Sequence, residues 1–208
     1  MTGLETVQKK LTDINRDYIL ENLYIGMRRC TSNEIIKRES IFEGIEEYLY
    51  LRIPDEDAVY SVMMFDMFLD RLNLFENSAW ECAEINVKLE TEILRIEDML
   101  SDLLGENVPL DLDSTTMFVI TNKSKFKGSA GILDTDKLYS LASDYGCRNL
   151  ICLPSSIHEW IVIPHNGSID MPMFNNMVQE VNQTVLEDDR EILSDRAYIY
   201  DTIKEVAI

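Results

Sequence analysis

Leu153-Pro154-Ser155-Ser156-Ile157-His158-Glu159-Trp160-Ile161-Val162-Ile163-Pro164 is the stretch whose reading decides the fold. Its second half is aromatic and β-branched, which suits an extended chain packed on a sheet. Asn149 to Leu153 has the same character. The serines between the two runs are turn formers, so two strands meet around Ser-Ser-Ile-His. Outward from this unit the pattern repeats. Met117 to Thr121 reads as a strand, Asn122 to Gly128 as a turn and Ser129 to Leu133 as a returning strand. Asp134 or Thr135 can cap a helix bearing Leu138, Leu141, Ala142 and Tyr145, with Gly146 as its left-handed stop. Asp170 and Pro172 open a last helix with Phe174, Met177, Val178, Val181 and Val185 on one face. Ala197 to Tyr200 can close the sheet.

Toward the N-terminus, Tyr48 to Ile53 and Ala58 to Phe65 read as a hairpin around the acidic turn Pro54-Asp55-Glu56-Asp57. Ser78 with Glu81 matches a capping box. Leu89, Ile93, Ile96, Leu100, Leu103 and Leu104 continue one helical stripe as far as Gly105 and Pro109. Leu4, Val7, Leu11, Ile14 and Tyr18 share a helix face, and Ser32 can cap a short helix carrying Ile35 and Ile36. The expectation is an α+β protein with a mixed or largely antiparallel sheet and packed helices. It divides into a helical N-terminal segment, 1–47, and an α+β domain, 48–208, with an internal boundary near 107–116.

The chain has 208 residues, 46% of them hydrophobic, enough to bury a sizeable core. With 38 acidic and 19 basic residues its formal net charge is −19. Such a field repels nucleic-acid phosphates and anionic membranes and attracts basic protein surfaces. Direct nucleic-acid binding is not expected, because the cations form no stripe. No apolar run nears the roughly 20 residues needed to span a bilayer. Met1 to Lys10 has no apolar signal core. Cys30, Cys82, Cys147 and Cys152 form no C-x-x-C or zinc spacing. A cytoplasmic protein with reduced thiols is expected, with no metal or cofactor.

Five pieces carry a family resemblance: Met117 to Lys123, Gly128 to Leu133, Leu153 to Glu159, Glu180-Val181-Asn182, and Leu193-Ser194-Asp195 with Tyr200-Asp201. Their order and spacing resemble a family of unknown function common in anaerobic Gram-positive gut bacteria, here in a form shortened at the N-terminus. The resemblance implies a bacterial, phage or mobile-element origin and a cytoplasmic setting. It transfers no catalytic residue.

Ser155, Ser156 and His158 are the candidate catalytic set, with Ser as nucleophile and His158 as base. On an extended segment His158 and Glu159 point to opposite faces, and no G-x-S-x-G elbow surrounds either serine. The plainer reading makes the serines turn residues and gives His158 one structural hydrogen bond. Position 162 is Val162, so no H-E-x-x-H zinc motif is formed. Lys123, Lys125 and Lys127 stand before Gly128 without phosphate-loop spacing. The acidic concentrations are Asp55, Glu56 and Asp57, the group Glu187, Asp188, Asp189 and Glu191, and Glu43, Glu46 and Glu47. Three functions follow. The favoured one is a non-catalytic module that meets a basic protein surface through Asp55, Glu56, Asp57, Glu187, Asp188, Asp189 and Glu191. Its most concrete form is a phage or mobile-element inhibitor of a nucleic-acid-handling defence enzyme. The others are a small Ser/His hydrolase and a housekeeping ligand-binding domain.

Overall fold

In a computed structural model, which describes residues 15–54, 59–99 and 116–208, the chain folds as two antiparallel sheets with helices between and outside them. A short helix, α1 (Arg16–Asn22), leads into β1 (Leu23–Arg29), β2 (Lys37–Glu39), β3 (Ile45–Pro54) and β4 (Val59–Met63). β3 is the hub. β1 pairs along one side of it, while β2 and β4 follow one another along the other. The 48–65 hairpin is therefore present as β3–β4.

Two helices, α2 (Asp66–Leu72) and α3 (Glu76–Glu90), then lead to the second sheet. Its strands are β5 (Thr91–Arg95), β6 (Phe118–Asn122), β7 (Asn149–Ser156), β8 (Glu159–His165), β9 (Tyr198–Asp201) and β10 (Val206–Ala207). They lie in the order β10-β9-β7-β8-β6-β5, each antiparallel to its neighbours. The period-2 alternation of strands is legible here. Ile120, Cys152, Trp160, Val162, Tyr198 and Tyr200 enter the core shared with the first sheet. Ile151, Leu153 and Ile163 point the other way, onto Phe174 and Val178 of α5 (Met171–Thr184).

The shared face is sealed from two sides. Helix α4 (Thr135–Asp144) is capped by the Asp134 side chain, which accepts from the Lys137 amide, and Gly146 follows it at φ +60°. Leu138 and Leu141 join the core, and the Tyr145 ring meets Phe118 edge-on at 5.3 Å. From the first sheet, Phe42 inserts against Trp160 at 4.7 Å and Tyr198 at 5.3 Å between ring centroids. Such tilted aromatic contacts add to the area they bury.

Several sequence expectations are corrected. The 1–47 segment is not helical throughout. Residues 1–14 lie outside the described residues, but 23–29 is a strand, and Ile35 and Ile36 lie outside any helix. β1 and β2 pair with β3, so a division at 47/48 would cut this sheet. α3 begins at Glu76 behind Phe75, which places Ser78 inside the helix rather than at its cap. The stripe from Leu89 does not continue as one helix, because α3 stops at Glu90 and Thr91 to Arg95 pair with β6. The stop is built by one near and one distant side chain: the Thr91 hydroxyl donates to the Val87 carbonyl, and Lys137 Nζ reaches the Lys88 and Thr91 carbonyls. The Lys88 and Thr91 carbonyls that Lys137 reaches are acceptors a continuing helix would have used. Helical backbone resumes at 96–99; Leu100, Leu103 and Leu104 and most of the 107–116 boundary lie outside the described residues. Finally, Gly128–Leu133 is a 3-10 turn rather than a returning strand. Its small residues pass so close to β6 that a Cβ on Gly128 would stand 2.6 Å from the Asn122 amide nitrogen.

Leu141 is a direct test of the α4 packing. Leu141→Asp places an unpaired charge in the shared core and should cost about 3 kcal/mol or more. Urea unfolding followed by tryptophan fluorescence would read it, and an unchanged midpoint would show that α4 is not docked as described.

Candidate functional site

The β7–β8 turn, the Lys123–Gly128 loop and a second 3-10 turn, Asp189–Glu191, converge on His158. The register slips between Pro154 and Ser156, a bulge-like irregularity that re-aims the end of β7. Ser156 is buried, and its Oγ accepts from the His158 amide at 3.0 Å. Ser155 Oγ instead donates to Glu159 Oε1 at 3.3 Å. Both serines stand at the end of β7 rather than in the turn, which is Ile157-His158, so the expectation of turn serines is corrected; neither hydroxyl is on the imidazole.

The imidazole has its own partners. Lys127 sits at φ +50°, which turns its amide toward the ring, and this N–H donates to His158 Nδ1 at 3.0 Å. Nδ1 is thus the acceptor, and in the neutral ring Nε2 carries the proton. Nε2 lies 3.9 Å from Glu191 Oε1. The turn is held further by Thr121 Oγ1 donating to the His158 carbonyl and by the Ile157 amide donating to the Glu191 carbonyl. Gly128 must be glycine here, since a Cβ would also meet the His158 carbonyl at 2.7 Å. The tertiary fold brings up a distant carboxylate, Glu191, that no local pattern indicated. It also occupies the nitrogen a catalytic serine would need. A hydroxyl-to-imidazole-to-carboxylate relay requires both ring nitrogens in line, and that geometry is not built.

Burial holds the His158 pKa below its ordinary 6.5; the nearby Glu191 opposes this and Lys127 adds to it. The neutral ring is the form that accepts from the Lys127 amide, so the hydrogen bond and the burial act in the same direction.

The lysine loop does not present three free cations. Lys127 turns inward, its Nζ 5.1 Å from the Tyr48 ring centroid and 5.4 Å from that of Tyr50. Lys123 Nζ donates to the Leu89 carbonyl. Such a loop makes a poor phosphate cradle.

The acidic candidates divide. Asp55, Glu56 and Asp57 lie outside the described residues. Asp188 caps the 3-10 turn and grips the Arg190 guanidinium at 2.7 Å. Glu191 faces His158, which leaves Glu187 and Asp189 exposed and without an ion pair among the described residues. Glu46 and Glu47 prove to be interior groups. Glu46 is buried, and burial alone would raise its pKa, but donors from Thr31, Lys37 and Arg28 hold it at about 2. No group of three or more His, Cys, Asp or Glu suited to a metal ion occurs among the described residues.

Residues 48–202 match a family of unknown function, DUF5688. The chain belongs to that family. No curated protein and no solved structure matches it. The DUF5688 match runs from within β3 to just beyond β9, so it takes in the hub strand from Tyr48 onward, the His158 turn and Glu191. The sequence resemblance to an uncharacterised family thus has a definite extent.

Two outcomes are expected for this turn. Because the folded-state pKa of His158 is depressed, the unfolded chain binds more protons as pH falls below about 6.5. Stability from this group is therefore complete above that pH and is lost as pH falls through the lower folded value. His158→Asn keeps an acceptor for the Lys127 amide but removes the titration. Its urea midpoint should vary less between pH 7 and pH 5 than that of the parent, and identical pH profiles would contradict the assignment. Separately, His158→Ala should lower the melting temperature, and neither protein should be labelled by a fluorophosphonate. Labelling of Ser155 or Ser156 that disappears in His158→Ala would establish a nucleophile.

Proposed function

We propose that the protein is a non-catalytic interaction module that binds a basic protein surface. One observation carries this reading: the fold consumes its own cations. Arg28 and Lys37 hold Glu46, Arg38 holds Glu47 and Glu84, Arg52 holds Glu90, and Arg148 holds Asp201. Most arginines and lysines among the described residues are engaged in this way, while the net charge is −19. The surplus carboxylates must then face solvent, and Glu34, Glu81, Asp144, Glu180, Glu187 and Asp189 are all exposed. A surface with this excess steers oppositely charged partners toward it.

In its most specific form the partner is a nucleic-acid-handling enzyme, the carboxylates standing where phosphates would bind. A phage or mobile-element inhibitor of a defence enzyme would have this character. A cytoplasmic setting agrees with four free cysteines. No helix among the described residues is long and apolar enough to cross a membrane. The hydrolase reading gains no support from the Ser155, Ser156 and His158 geometry.

Capture from the native host, with identification by mass spectrometry, supplies the partner. Its affinity should fall steeply as salt rises, since exposed charges are screened beyond roughly 8 Å at physiological ionic strength. The E187Q/D189N double variant should slow association more than it speeds dissociation. Affinity that is indifferent to salt would refute an electrostatic interface.

A further inference from the structure

A groove of about 380 Å³ opens where β2 and β3 of the first sheet, α3 and the end of the Gly128–Leu133 turn come together. Ile25, Val87 and Leu133 give it an apolar lining, and Ile41, 44% exposed, stands at its edge. Its charged members are mainly carboxylates: Glu39, Glu47, Glu84 and Glu205. The two cations that line it are already bound. Arg38 bridges Glu47 at 2.7 Å and Glu84 at 2.8 Å, and Lys88 pairs with Asp136 at 3.0 Å. Glu39 and Glu205 are exposed and have no ion pair among the described residues. Glu205 is held at φ +54° in the turn between β9 and β10, so both sheets contribute to the groove.

We propose that this groove binds a basic segment of a partner protein, an arginine- or lysine-flanked apolar residue, an assignment that rests on the acidic-interaction function proposed above. Charge complementarity selects the occupant. The uncompensated groups are both anionic, and the lining between the charges is aliphatic. An anionic or purely polar segment would leave those carboxylates facing like charge or the aliphatic lining without a partner. The chain already displays the chemistry at one point. The Arg38 guanidinium lies 4.2 Å from the Trp80 ring centroid while its nitrogens meet two carboxylates. A guanidinium is weakly hydrated and has planar donors, which suits it to such a half-buried setting. β2 forms a wall of the groove through Arg38 and Glu39 and pairs with β3 alone among the described strands.

The probe is the peptide acetyl-Arg-Leu-Arg-Leu-Arg-amide, titrated by calorimetry, with the Glu-Leu-Glu-Leu-Glu peptide as control. The arginine peptide should bind and the glutamate peptide should not. The exposed-site variant E39Q/E205Q, checked by its melting temperature, should raise Kd about fivefold, the scale expected for losing two partly exposed ion pairs. E187Q/D189N should change Kd less than twofold, because those residues are not in the groove. Hydrogen exchange should slow at 39–41 and 133–135 when peptide is added. Equal Kd for E39Q/E205Q and the parent, or no slowing at those segments, overturns the groove. If binding nonetheless weakens with salt or in E187Q/D189N, the acidic-surface function stands and only its location is wrong. If neither salt nor either variant affects binding, both readings fall.

Discussion

β3 is the element on which the molecule depends. Every residue from Ile45 to Ile53 is buried, although Glu46, Glu47 and Arg52 are among them. Charge at such depth is tolerated only when it is paired and hydrogen-bonded. The surrounding chain is arranged to supply those partners. β1 contributes Arg28, β2 contributes Lys37 and Arg38, the 30s loop contributes Thr31, and α3 contributes Glu90. Glu90 is the last residue of α3, where the helix dipole disfavours a carboxylate, and Arg52 together with the Tyr24 hydroxyl compensates. Removing one member of such a set exposes the cost of the others, so the strand and its neighbours form one cooperative unit.

The same hub organises the second sheet. Tyr48 and Tyr50 rise from β3 toward the Lys123–Gly128 loop and receive Lys127 on their faces. That residue's amide in turn fixes His158. Gly128 lets the loop descend onto β6, and Phe42 inserts beside Trp160. The His158 turn is therefore a joint between sheets. Ser156 and His158 are engaged with main-chain amides and Ser155 with Glu159, so the run of Ser, Ser, His and Glu is bound into the joint.

Pairing inside the fold uses up cations and leaves carboxylates at the surface and along the groove beside β2. Glu46 and Glu47 illustrate the distinction. They look like surface acids in a list of charges, yet they are structural, whereas Glu39, one strand away, is exposed.

The sequence by itself determined the class of fold and much of the second sheet. Apolar runs bounded by turn formers marked β6 to β9, Asp134 and Gly146 bounded α4, and Asp170 opened α5, because each is a local signal read within a few residues. The −19 charge and its bias against phosphate were equally legible. Long-range pairing decided the rest. Leu89, Ile93 and Ile96 have helical spacing, but ladder bonds to β6 and capping by Thr91 and Lys137 outweighed it. Ser129 to Leu133 has strand-like apolarity, but its glycines served close approach instead. β1 was missed because Gly26, Arg28 and Arg29 break up its apolar run, and the partners that make Gly26 and Arg28 fit, Tyr48 and Glu46, are far along the chain. The Glu191–His158 approach and the Glu39–Glu205 groove join residues far apart in the chain, and no spacing rule spans that distance.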